Sequence, residues 1–164
     1  MILNNYWAWK EVQERAVSST ASEIQTYIKD TAGSFMKITG VKLSTSVELS
    51  NNFRLTVNLL HYVSNETTQI DENDYSMNNL SSITDASTSC VCGIIDSKLT
   101  YTINISGTNS GSDSITITRV GLLKRIYNTS YTMQNALMAI IELSEPITVP
   151  SGNGYSITVE MIEE

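Results

Sequence analysis

Apolar and polar residues alternate through much of the last third of this chain. Leu99, Tyr101, Ile103 and Ile105 are interleaved with Thr100, Thr102, Asn104 and Ser106. After a turn-rich stretch from Gly107 to Ser112 the beat resumes at Ile115 and Ile117. It returns at the end, where Tyr155, Ile157, Val159 and Met161 alternate with Ser156, Thr158 and Glu160. Successive strand side chains point to opposite faces, so a period of two predicts strands with one buried and one wetted face. Strands of this kind stack into a sandwich or barrel, a scaffold that binds or assembles more often than it catalyses.

The same period appears earlier. Val41, Leu43, Val47 and Leu49 share a phase, Ser50, Asn51 and Asn52 make a turn, and Phe53 to Val63 carry apolar residues on odd positions. His61 lies on that apolar phase, which predicts a satisfied core or edge histidine. From Ile117 the phase slips: Arg119 stands where a core residue is due, and Val120 and Leu122 carry on. A one-residue slip exchanges the faces unless the strand bulges, so Arg119 to Leu123 reads as bulged or corner-turning, with the bend easiest at Gly121. Ala136 to Leu143 is apolar almost throughout and predicts a central strand covered on both sides. Pro146 and Pro150 bracket an edge segment, and Ser151 to Gly154 form a tight turn.

The first third has a different character. Asn4 or Asn5 is placed to cap a short helix carrying Tyr6, Trp9, Gln13 and Ala16 on one side. Thr20 to Glu23 match a capping box, and with Ile24, Tyr27, Ile28 and a terminating Gly33 they predict a second helix. The expected organisation is therefore an N-terminal arm over residues 1–38, helical or extended, that docks on a neighbour, followed by a β-sandwich over residues 39–164. The expected fold is mainly β, an antiparallel sandwich of Ig-like or jelly-roll-like type. Tyr6, Trp7 and Trp9 are the candidate anchor of the arm, because aromatic side chains dominate interface energetics.

Charge and composition narrow the function. The 164 residues carry a net charge of −7 and only ten scattered basic residues, with Lys124 and Arg125 the one adjacent pair. Nucleic-acid backbones need clustered Lys and Arg, so direct binding of DNA or RNA is not expected. Cys90 and Cys92 sit two apart on one strand face, where a bridge between them would strain the backbone. With His61 the single histidine, they lack the further ligands of a zinc site. The acidic run Asp71, Glu72 and Asp74, in a polar connection over residues 64–87, lacks the glycine and distal glutamate of a calcium loop. It reads as a solvated turn. Neither metal nor cofactor is expected. No acidic pair sits in a strand context that fixes a catalytic spacing, and His61 has no evident relay partner, so the expectation is a protein that is not an enzyme. The opening residues Met1 to Asn5 lack the pattern of a secretory leader, and no segment is long enough to span a membrane, so folding in a cytoplasm is expected.

The order of pieces is itself informative. These are Asn4-Asn5-Tyr6-Trp7 at the start, Asp74-Tyr75 after the long connection, and Asn109 with Ser110 and Gly111 ahead of an Ile-Thr-Ile-Thr strand. Val120-Gly121-Leu122 and the closing run from Glu145 to Gly152, before a last alternating strand, complete the set. In this the chain resembles small virion structural proteins of tailed bacteriophages, of a type often encoded among head and tail genes. It departs from them at Arg119, where similar chains carry an acidic residue, and at Tyr62 to Asn65, which replace a Gly-rich approach to the Asp-Tyr pair.

The resemblance implies a non-enzymatic virion component, a capsid decoration, collar or tail protein made in the host cytoplasm. Its partners would be other virion proteins or further copies of itself on a symmetric particle. The alternative is a carbohydrate- or receptor-binding module, in which Tyr62, Tyr127 and Tyr131 stack on a ligand.

Overall fold

The structure is a computed structural model, and it describes residues 1–18, 25–39, 58–127 and 132–163. Among these residues are one helix, α1 (Asn4–Ser18), and eight strands: β1 (Gln25–Lys29), β2 (Phe35–Thr39), β3 (Leu59–Ser64), β4 (Ile83–Ile95), β5 (Lys98–Asn109), β6 (Ile115–Tyr127), β7 (Met133–Val149) and β8 (Gly154–Glu163). The fold is mainly β, and every strand pair is antiparallel. Two three-stranded sheets, ordered β3-β6-β7 and β4-β5-β8, are accompanied by a β1–β2 hairpin.

The alternation read from the sequence is the reason the sheets stack. Ile103 and Ile105 on β5 and Ile157 and Val159 on β8 are buried in one cluster with Val63 on β3 and Val120, Leu122 and Ile126 on β6. Burying each such side chain is worth about 1.5–3 kcal/mol, which is what holds the two faces together. The turn joining β4 to β5 is formed by Asp96 and Ser97, both with positive φ, as a two-residue hairpin whose twist matches its strands requires.

β7 shows why the run from Ala136 to Leu143 is apolar on both faces. Met138 and Ala139 enter the main core, whereas Leu137 and Ile140 join a second cluster with Leu3, Met77 and Leu123 on the other side. Its edges are covered too. β6 pairs along one of them. Residues 1–3 run along the other, with Leu3 N–H donating to Met138 C=O at 2.9 Å and Ile140 N–H to Met1 C=O at 3.0 Å.

The phase slip at Arg119 coincides with a break in register between Ile117 and Arg119. The extra residues, however, lie mainly on the partner strand: β7 advances from Ile147 to Glu142 while β6 advances from Ile117 to Arg119, and Met138 bulges opposite the Leu122–Leu123 step. Gly121 serves a different purpose from the expected bend. A Cβ there would stand 3.0 Å from Leu137 Cδ1 and 3.0 Å from Met77 Cε, so the bare backbone makes room for the second cluster.

Residues 25–39 correct the sequence reading most clearly. They form the β1–β2 hairpin, with Lys29 opposite Phe35, and not a second helix. The physical reason is again a period of two: Ile28, Met36 and Ile38 are buried on the inner face, while Tyr27 and Phe35 stand exposed on the outer one. Gly33 ends no helix; it takes φ +83 in the hairpin turn. The capping box from Thr20 to Glu23 and the strands expected from Val41 to Val57 lie outside the described residues.

Candidate interaction surfaces

The residues with chemistry are mostly engaged in holding the fold. His61 on β3 is buried, with Nδ1 2.7 Å from Thr88 Oγ1 on β4 and Nε2 2.8 Å from the Tyr155 hydroxyl on β8. Burial lowers its pKa, which keeps the ring neutral. Arg119 donates to the Thr68 carbonyl and pairs with Glu142 Oε1 at 2.6 Å, directly across the strand. Lys124, fully buried on the inner face of β6, has its pKa depressed to about 8 by desolvation. Cys90 and Cys92 are free thiols; burial, then the neighbouring Cys92, raises the Cys90 pKa. Asp71 lies in a turn where Asn73 N–H and Nδ2 both donate to its Oδ1, which holds its carboxyl below the usual range. Among the described residues no group of three metal-ligating side chains comes together.

The expected anchor is split by helical geometry. Tyr6 and Trp9, one turn apart on α1, point inward and belong to the chain's own core, so they are not available to a partner. Trp7 is half exposed, its ring edge to face with Tyr6 at 5.2 Å and the Lys10 ammonium 5.5 Å from its centroid. The three tyrosines expected on a binding surface are not brought together. Tyr62 is half buried against the second cluster, Tyr127 is half buried at the end of β6, and Tyr131 lies outside the described residues.

Two surfaces instead expose what water disfavours. The first is β4, an edge strand among the described residues. From Ser87 to Ile95 it carries no charge and no proline, and Val91 and Ile94 are 65% and 77% exposed. Natural edge strands are blunted by lysine, proline or a bulge. Here the one bulge, at Asp85 with φ +52, lies at the far end and leaves nine residues in regular register with β5.

The second surface is an open cleft of about 180 Å³ between α1, the β1–β2 hairpin and the turn at residues 71–75. The Lys29 ammonium lies 5.3 Å from the Phe35 ring centroid and 4.9 Å from that of Tyr75. Tyr27 and Phe35 are exposed beside it, and Asn4, Glu72, Asn73 and Asp74 form the polar rim. The cleft is rigidly built. Asn5 grips the Lys29 backbone from both sides, donating to its carbonyl at 2.8 Å and accepting from its N–H at 2.9 Å. Asn4 N–H donates to Glu72 C=O at 2.9 Å, and its Nδ2 donates to Asn73 Oδ1 at 3.0 Å, seating the turn on the start of α1. Tyr75 lies flat on the hairpin turn because Gly33 has no side chain: a Cβ there would stand 3.0 Å from the ring.

Sequence reasoning missed Lys29 and Phe35. The signal was present in the alternation of Tyr27, Lys29, Phe35 and Lys37 with buried residues, but the capping box and Gly33 favoured a helix. In comparisons with known proteins, no family model, no curated protein and no solved structure matches this chain.

Proposed function

We propose that this chain is a non-enzymatic structural protein of a tailed-phage particle, a decoration, collar or tail component that assembles through protein–protein contacts. The observation that carries the assembly reading is β4. An edge strand that among the described residues is paired on one side only, with no charge from Ser87 to Ile95 and with Val91 and Ile94 exposed, is an aggregation hazard, and its use as an interface would resolve the hazard by pairing that edge with a neighbouring strand. Repeated copies on a symmetric lattice turn modest single contacts into firm attachment. The engagement of His61, Arg119 and the acidic turn in structural bonds is in keeping with a protein that acts by shape. The sequence resemblance supplies the particle; the edge strand supplies the means of joining it.

Two measurements test this. Light scattering on purified protein should show mass rising with concentration, and Val91→Lys with Ile95→Lys should hold it monomeric without changing the β spectrum. A chain monomeric at every concentration, and not retained by purified particles, overturns the assembly reading. Mass spectrometry of the particles should find the protein, with copy number separating decoration (hundreds) from collar or tail (a dozen or fewer) on lattice symmetry. Its absence from particles overturns the virion reading.

A further inference from the structure

We propose that the cleft around Lys29 binds a neutral saccharide. This reading is independent of membership in a phage particle and rests on the chemistry of the lining. Phe35 is 71% exposed while Met36 and Ile38 on the other face of its strand are buried, so its ring is held in water without serving the core. Tyr27 lines the cleft with it, and the Lys29 ammonium reaches both the Phe35 ring and, next to the cleft, that of Tyr75. The cation thus draws two aromatic faces to one point.

A pyranose has the complementary character. Its C–H faces pack on aromatic rings, and its hydroxyls each donate and accept. The rim offers both functions: carboxamides of Asn4 and Asn73, carboxylates of Glu72 and Asp74, and three donors on Lys29. A purely apolar peptide would take the Lys29 ammonium and the Glu72 and Asp74 carboxylates out of water, at a cost that outweighs the contact it gains. Charge selects among sugars. One ammonium against two carboxylates leaves the lining negative, on a chain whose net charge is −7, so a neutral sugar is favoured over a sialylated or uronic one.

Size and stiffness agree. At about 180 Å³ the cleft is below the roughly 300–1,000 Å³ of sites that enclose drug-sized ligands, which suits one or two sugar rings with one face left open. The backbone of Lys29 is held by Asn5 and that of the 71–75 turn by Asn4, so the walls of the cleft need little ordering on binding.

The test is a glycan array probed with the labelled full chain, carrying glucose-, galactose-, mannose- and N-acetylhexosamine-terminated glycans beside sialylated and uronic ones, followed by calorimetric titration of the best neutral glycan. Saturable binding to neutral glycans is expected, reduced at least tenfold by Phe35→Ala. Phe35 is exposed, so this variant should keep the wild-type melting temperature; Tyr75→Ala and Lys29→Met should weaken binding in the same direction. No saturable binding, binding confined to acidic glycans, or affinity unchanged in Phe35→Ala would overturn the proposal.

Discussion

His61 on β3 and Tyr155 on β8 meet across the gap between the two sheets, imidazole Nε2 and phenolic oxygen 2.8 Å apart. The rings stand edge to face at 87°. With Thr88 on the other ring nitrogen, the imidazole ties one strand of the first sheet to two strands of the second. A neutral imidazole has one donor and one acceptor, and the two hydroxyls can satisfy both. Sheets held only by greasy faces can slide; a buried pair with fixed geometry sets how they lie.

Acid should weaken this arrangement. Burial lowers the His61 pKa, so between that value and the ordinary 6.5 the unfolded chain holds a proton that the folded chain does not. Stability therefore falls as pH drops through this window. Melting temperatures measured from pH 7.5 to 5 should decline more steeply for the wild type than for His61→Leu. That variant should itself start about 1–3 kcal/mol lower, because the Tyr155 and Thr88 hydroxyls lose their partner.

Alkali should act in two stages. The Lys124 pKa is depressed to about 8, so from there to 10.5 the unfolded chain keeps a proton that the folded chain releases, and stability rises with pH. The full effect is of order 3 kcal/mol. The Tyr155 pKa is raised to about 12 by burial, so between 10 and 12 the folded chain keeps the proton and stability falls. Urea midpoints against pH should lose the first rise in Lys124→Met and the later fall in Tyr155→Phe.

Gly107 is paired with Tyr155 and lies beneath its ring. A Cβ at this position would stand 2.7 Å from the phenolic oxygen and 3.0 Å from Ile83 Cγ2. Gly107→Ala should therefore displace Tyr155 from His61 and cost about 1–3 kcal/mol. Spectrophotometric titration of the tyrosines should show the Tyr155 pKa moving back toward 10 in this variant.

The two tryptophans should separate cleanly. Trp9→Ala empties a core site and should cost about 3–5 kcal/mol. Trp7→Ala removes a half-exposed ring that meets Tyr6 edge to face at 5.2 Å, and should cost about 0.5–1.5 kcal/mol. Chemical denaturation of both variants measures the contrast, and equal losses would contradict the inward orientation of Trp9.

Asn109 should be intolerant of change. The side chain is fully buried; its Nδ2 donates to Asp113 C=O at 2.8 Å and Val149 C=O at 3.0 Å, and its Oδ1 accepts from Gly111 N–H at 3.1 Å. Its backbone also closes onto Asn153 and Gly152 in the β7–β8 turn. Asn109→Ala should cost about 2–4 kcal/mol, read from the denaturation midpoint. Asn109→Asp should do no better, since a carboxylate would face two carbonyls.

The β architecture was legible because β5 and β8 alternate and each buries one face; periodicity reports burial directly. Local signals failed where two periods compete. Tyr27, Ile28 and Gly33 fit a capped helix as well as a hairpin, and only the partnership of Ile28 with Met36 and Ile38 against the core decides between them. The surfaces were less legible still. An edge strand is defined by the neighbour it lacks, and the cleft joins Asn4, Lys29 and Asp74 from three separate stretches, a proximity that no spacing in the chain records.

Asn5 donates to Leu137 C=O, 132 positions away, and Met1 and Ile140 are joined over 139. Residues 1–5 therefore cannot take up these bonds until β7, more than 130 positions later in the chain, has been made. Closure of this edge of β7 is a late event in folding, because its two partners are made far apart in time.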